Sequence, residues 1–578
     1  MSAVNAYPLM TDTSDLANLA NKEIDRRAFV ARSLAVGVAL AAPTSRAESA
    51  ARHARRTPGA ADGSVASAFA AGVPPADDLF ELTVADARAR MERGALTSHA
   101  LTQRYLSRID SMDKAGPAVN SVIELNPDAL AIADQMDSER KAGKVRGPLH
   151  GIPVLIKDNI DTADKMRTTA GSLALASSTP PRNAFIIERL IAAGMVLVGK
   201  TNLSEWANFR SSRSTSGWSG RGGQTHHPYV LDRNPCGSSA GTGVAVAADF
   251  ATIGIGTETD GSIICPSSIN GLVGIKPTVG LWGRSGIIPI SASQDTAGPM
   301  ARTVADAAAL LGALTGLDPR DAATHASAGH AKSDYSTFLD AAGLKGTRIG
   351  VPRNLAGFNP DVDGALDNAV AAIKGAGATV IDHADVDGVG KFDDAELDVL
   401  LYEFKDGLNK YLASLALLEA NAPPKTLAGL IAWNEREKAR EMPWFGQELF
   451  LRAEKKGPLA ESTYKKARAK CVAMSRTKGI DAALAKYKVD ALIFPSNAPA
   501  WPTDYVNGDH VTGGNTTFAA VAGYPSITVP MGLVHGLPVG LSFVGAAWSE
   551  ARLITLAYAF EQATRARQAP KYLRTLET

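Results

Sequence analysis

From residue 83 onward, short apolar stretches of strand length alternate with longer stretches of helical period, and nothing repeats at a fixed spacing. This alternation limits the fold more than any other feature of the chain. Thr83-Val-Ala-Asp86 has the form of a capping box and opens a helix that ends near Gly94. Thr97 or Ser98 caps a second helix, with Leu101, Tyr105, Ile109 and Met112 on one face. Strands are predicted at 153–156, 195–198 and 252–255, separated by helices over 186–193 and 240–248. Similar helix–Gly–strand units are expected over 369–381 and 482–494. Strands that alternate with helices imply an α/β fold with helices covering both faces of a sheet. No linker-like segment follows residue 80, so the sequence gives no place to divide this large domain.

At 578 residues, with 45% apolar and 21% charged residues, the chain can bury a large core. A formal charge of +1 supplies no long-range field to gather nucleic acid or an anionic membrane surface. No Cys/His cluster has metal-ligand spacing, and no glycine-rich loop precedes a Lys-Ser or Lys-Thr pair. The sequence therefore implies no metal and no cofactor.

The first fifty residues carry a separate signal. Asp25-Arg-Arg-Ala-Phe-Val30 places paired arginines ahead of a short apolar run, Leu34 to Ala42, too short to span a bilayer. Pro43 and the small-x-small site Ser45-Arg-Ala47 follow. This is the pattern of a twin-arginine export signal over residues 1–47, which predicts a periplasmic or secreted protein with no stable membrane association once it is removed. Residues 48–80, rich in Ala, Gly, Ser and Pro, are expected to form a flexible linker, and 81–578 the folded domain. Three cysteines are an odd number for a disulfide framework. The expectation is three buried free thiols, with a Cys236–Cys265 bridge as the alternative.

Three segments depart from simple packing. In Gly151-Ile-Pro-Val-Leu-Ile-Lys157-Asp158, a lysine ends an apolar strand. Burial lowers a lysine pKa by several units and makes the amine available as a base. The alternative is a lysine reaching water or paired with Asp158. In Pro235-Cys-Gly-Ser-Ser-Ala-Gly-Thr-Gly243, small residues allow a sharp turn and a close backbone approach. In Gly254-Ile-Gly-Thr-Glu-Thr-Asp-Gly-Ser-Ile-Ile-Cys-Pro266, a strand runs into a turn that presents Ser262. Successive N–H groups of such a turn can bind an oxyanion.

In order, spacing and flanking residues, these segments resemble the amidase signature family. Gly271-Leu-Val-Gly-Ile-Lys-Pro-Thr278, Asp295-Thr-Ala-Gly-Pro299, Gly523-Tyr-Pro-Ser-Ile-Thr-Val-Pro530 and Leu537-Pro-Val-Gly540 extend the likeness, which covers roughly residues 81 to 565. The resemblance implies one large domain with a mixed sheet covered by helices on both faces. It implies Lys157 as general base, Ser238 as a cis-configured relay and Ser262 as nucleophile of an acyl-enzyme reaction. Thr259, Asp260 and Gly261 would contribute the oxyanion and substrate-binding turn. Cys236 replaces the usual Gly, and Thr257-Glu-Thr-Asp-Gly-Ser-Ile-Ile264 loses an Arg and gains an Asp. These departures, with Leu203-Ser-Glu-Trp-Ala-Asn-Phe209, Ser216-Gly-Trp-Ser219, Arg221-Gly-Gly-Gln-Thr225, Leu401-Tyr-Glu-Phe-Lys405 and Phe445-Gly-Gln-Glu-Leu449, resemble the bacterial peptide amidases, which remove C-terminal amides from peptides.

Other readings compete. An aryl-acylamide or carbamate hydrolase would share the catalytic residues and differ only in its pocket. Gly237-Ser-Ser-Ala-Gly241 also fits a nucleophile elbow, making Ser239 the nucleophile of a Ser-His-Asp esterase completed by His510 or His535. Prolines at 228 and 235 argue against the strand that an elbow requires. A component of the transfer-RNA amidotransferase would need partner proteins and stay in the cytoplasm, whereas the export pattern implies no obligate partner. The expected partner is a small-molecule or peptide amide substrate, not nucleic acid.

Overall fold

A computed structural model describes residues 77–415 and 423–576. The expected export signal, 1–47, and the expected linker as far as residue 76 lie outside the described residues. Among the described residues, eleven strands form one sheet. In chain order these are β1 Val122–Leu125, β2 Pro153–Lys157, β3 Val196–Thr201, β6 Ile253–Glu258, β7 Val273–Lys276, β8 Thr296–Ala301, β9 Arg348–Val351, β10 Thr379–Asp382, β11 Ala491–Pro495, β12 Ser526–Val534 and β13 Leu537–Val544. Side by side they lie in the order β1-β3-β2-β6-β8-β7-β12-β13-β11-β9-β10. A separate hairpin pairs β4 Trp218–Ser219 with β5 Gly223–Gln224.

The sheet is mixed. β3, β2 and β6 run parallel to one another, as do β11, β9 and β10, while β8, β7, β12 and β13 between them pair antiparallel. Its central strands are buried along their whole length, which is why they read as continuous apolar runs rather than alternating ones. Period-two alternation shows that both faces are covered. Val154 and Ile156 join Ile253 and Ile255 in one core cluster, whereas Leu155 packs with Val244, Ala245 and Phe250 in another. Across the sheet, Ile493 belongs to the first cluster and Leu492 and Phe494 to a third.

The local expectations hold with shifted ends. Thr83 caps helix Val84–Glu92 and Thr97 caps helix Ser98–Met112. β6 runs to Glu258, three residues past its predicted end, and so delivers the turn before Ser262 directly from the sheet. Gly194 and Gly377 hold the turns of the units over 186–198 and 369–381, but the unit over 240–255 turns at Asp249, with φ 62°. The glycine expected in the unit over 482–494 is absent, its turn being made by Lys488 with φ 52°. Among the described residues, no helix is long and apolar enough to cross a membrane.

Candidate active site

Lys157 ends β2 between β3 and β6. It lies two residues beyond Leu155 and therefore faces the same way, toward helix Ala240–Ala247, whose N-terminal approach carries Ser238. Its Nζ lies 2.7 Å from Ser238 Oγ, 2.9 Å from Thr257 Oγ1 and 3.2 Å from the Thr257 carbonyl. The side chain is fully buried. Burial lowers its titration to about 7, while Glu258 and Asp295 pull weakly the other way. Asp158 points to the opposite side, where it accepts from the Thr169 hydroxyl and meets Arg221 at 3.5 Å. The strand thus separates the amine from the neighbouring carboxylate, and the Lys157–Asp158 pairing weighed above does not form.

The peptide bond between Gly237 and Ser238 is cis. Gly237 is required by space, since a Cβ there would sit 2.1 Å from Ser204 Oγ. Asn234 Oδ1 accepts from Cys236 N at 2.8 Å, and the Ser238 carbonyl accepts from Ser204 N at 3.0 Å. The expectation of three free thiols is corrected: Cys236 and Cys265 form a disulfide across 29 residues, with Cα atoms 6.1 Å apart, and only Cys471 remains a buried free thiol among the described residues. The odd count misled because one cysteine is simply unpaired. The bridge joins the loop that carries Ser238 to helix Ile264–Ile269, which follows Ser262.

Beyond β6 the chain turns through Gly261, at φ 82°, where a Cβ would approach Thr516 Oγ1 to 2.9 Å. Ser262 follows, 8% exposed, with its carbonyl accepting from Ser239 N at 3.2 Å. Glu258 Oε2 accepts from the N–H groups of Ile263 and Ile264 at 2.8 and 2.9 Å and so holds the helix start. The Asp260 carboxylate accepts from the hydroxyls of Thr516 and Thr517 at 2.5 and 2.8 Å. Its side chain is thus spent on anchoring the turn, which leaves the backbone to face a reacting group. Thr259 Oγ1 donates to Asp295 Oδ1 at 2.6 Å. Burial pushes the Asp295 carboxyl up to about 6. A cavity of about 190 Å³ adjoins this side, lined by Asn159, Thr257, Glu258, Thr259, Ile288 and Asp295 among others.

The three expected catalytic residues therefore converge. Lys157 meets Ser238 through a side-chain hydrogen bond, and Ser262 joins them through the backbone of Ser239. Ser239 itself is fully buried, with its hydroxyl donating to the Thr257 carbonyl at 3.1 Å and accepting from Thr257 N at 3.2 Å. His510 pairs with Asp504 and His535 with Asp361, both at the exposed surface. The elbow reading fails on these contacts. Thr257 and Asn159, whose Nδ2 donates to Thr257 Oγ1 at 3.0 Å, escaped the sequence reading. Thr257 sits in the turn motif, and its place at a strand end beside a buried lysine was the available signal. Among the described residues, no group of His, Cys, Asp or Glu is arranged to hold a metal ion.

A family model described as Amidase matches residues 100–554. The solved peptide amidase of Stenotrophomonas maltophilia is similar to this chain, with 50% identity and a TM-score of 0.81 over 86% of this chain and 99% of that one. A protein of Arabidopsis thaliana named probable amidase is 41% identical, over 88% of this chain and 95% of its own length. A glutamyl-tRNA(Gln) amidotransferase component from Chloroflexus aurantiacus is 35% identical, over 84% and 97% respectively.

Proposed function

The chain belongs to the amidase family and hydrolyses amide bonds, and we propose that Ser262 is its nucleophile, Ser238 its proton relay and Lys157 its general base. The observation that carries this reading is the contact of a buried amine, lowered to about 7, with Ser238 Oγ at 2.7 Å. A neutral amine has two N–H donors and one lone pair. The carbonyl and hydroxyl of Thr257 suit the two donors, which turns the lone pair toward the Ser238 hydroxyl. Ser238 then gives its proton to Lys157 and takes the proton of Ser262, whose Oγ attacks the amide carbon. Backbone N–H groups of residues 259–262 receive the oxyanion, each donor contributing about 3 kcal/mol. The same relay returns the proton to the departing nitrogen as the C–N bond breaks, and water hydrolyses the acyl-enzyme.

We further propose that the substrate is the C-terminal amide of a peptide and the released product is ammonia. Half of the residues are identical to a peptide amidase across nearly its whole length, including stretches outside the catalytic segments. Export through the signal over residues 1–47 would place this activity outside the cytoplasm, where peptide amides from the surroundings are met. The test is to present the purified protein with a peptide amide, an anilide and a carbamate in parallel. Ammonia release with conversion of the peptide amide to the free acid supports the reading. Turnover of the anilide or carbamate alone would assign an aryl-acylamide or carbamate hydrolase.

A further inference from the structure

We infer that Gln294 and Asp295 are positioning residues that aim the oxyanion-binding turn by gripping Thr259 at both of its polar groups. This rests on the reading of Ser262 as nucleophile. The Thr259 hydroxyl donates to Asp295 Oδ1 at 2.6 Å, and its carbonyl accepts from Gln294 Nε2 at 3.3 Å. A trans peptide group is planar, so its C=O and N–H point in opposite directions. Fixing the Thr259 carbonyl therefore fixes the direction of the Asp260 N–H, one of the donors assigned to the oxyanion. Thr516 and Thr517 hold the Asp260 side chain independently.

The grip is itself anchored. Asp295 Oδ2 accepts from the N–H groups of Ile290 and Ser291 at 2.9 and 2.8 Å, so the carboxylate closes its own loop. Gln294 Nε2 also donates to Glu396 Oε1 at 3.1 Å. Glu403, on the same helix Asp393–Ser414, accepts from the Ser291 hydroxyl at 2.5 Å, from Ser293 N at 2.9 Å and from Tyr464 Oη at 2.6 Å. A line of hydrogen bonds thus runs from this helix through residues 290–295 to the turn before Ser262. Gln294 is buried, and neither it nor Asp295 needs to touch substrate to act in this way.

Three variants test the grip. Thr259→Val keeps the shape and removes the hydroxyl, Thr259→Ser keeps the hydroxyl, and Gln294→Met keeps the length and removes the donor. Each is assayed on a turned-over amide and titrated with a peptide aldehyde, which forms a tetrahedral adduct on serine. A fluorophosphonate label located by mass spectrometry identifies the nucleophile in the parent protein. Displacement of a preorganised donor by a fraction of an ångström predicts kcat lowered about 10- to 100-fold in Thr259→Val and Gln294→Met. KM should stay near the parent value, aldehyde affinity should fall by the same factor as kcat, and Thr259→Ser should retain most of both. Unchanged kcat and aldehyde affinity with the label on Ser262, or a loss in Thr259→Ser equal to that in Thr259→Val, overturns the grip alone. A label on another serine of the parent overturns the nucleophile reading and the grip with it.

Discussion

Replacing Lys157 with Met should stabilise the protein while removing its activity, and the gain should depend on pH in a defined direction. Burial moves the Lys157 titration from 10.5 to about 7. At about 1.4 kcal/mol per pH unit, that displacement separates the charged and neutral forms by about 5 kcal/mol. The unfolded chain keeps this proton up to about 10.5, and the folded chain releases it near 7. Between those values the unfolded state binds more protons, so the parent gains stability as pH rises. Below about 7 the buried charge costs its full amount; above about 10.5 both states are neutral and the cost is gone. Lys157→Met also loses the contacts to Ser238 and Thr257, but that loss does not follow this titration. The variant's advantage over the parent should therefore shrink by up to about 5 kcal/mol between pH 7 and 10.5, as read from urea unfolding of both proteins across that range. In the same window, kcat/KM of the parent should rise through about 7 to a plateau. Parallel stability curves, together with activity rising only near the ordinary lysine range of about 10, would refute a neutral Lys157.

Further outcomes are expected elsewhere. Ser262→Ala should remove nearly all turnover with an unchanged unfolding midpoint, and Ser238→Ala should lower kcat about 10²- to 10⁴-fold, the usual range for a lost proton-transfer step; turnover by the Ser262 variant at the parent rate would reject it as nucleophile. Removing the bridge with Cys236→Ala and Cys265→Ala together should lower stability by about 3.6 kcal/mol for a loop of 29 residues, measured by urea unfolding. Identical midpoints would show that the bond adds nothing. Changing Arg26 and Arg27 to Lys should leave precursor in the cytoplasm on fractionation, and normal envelope levels would end the export reading.

Read from their own neighbours, the Lys157 and Ser262 segments left a structural role open, and it was the resemblance to the amidase signature family that assigned them roles. Lys157 sits on a strand whose period fixes which way it faces, and Ser262 ends a turn whose Gly261 has the φ that the motif requires. Alternating strands and helices were enough to imply a two-faced sheet, although strand order and the antiparallel middle were not visible. Contacts between distant segments were not legible. Nothing near Thr259 announces that Gln294 and Asp295 meet it, and nothing near Ser291 announces Glu403, far along the chain. The Cys236–Cys265 bridge stood only as the alternative for the same reason, because a count of cysteines carries no geometry. Lys488 in a left-handed turn shows how tertiary context can override a residue's usual preference.

The placement of Lys157 on an inner strand also bears on how this protein can diversify. β2 is hydrogen-bonded on both sides, to β3 and to β6, so an insertion or deletion within it would trade the amine for Ile156 or for Asp158. Selection can therefore edit this strand only by substitution, never by length. Helix Asp393–Ser414 and the segments around it are joined to the sheet through side chains and carry no catalytic atom. Changes on this helix that spare Glu396 and Glu403 would leave the hydrogen bonds to residues 291–294 in place. The strand tolerates no shift in register, whereas the helix constrains the site only through the few side chains that reach it.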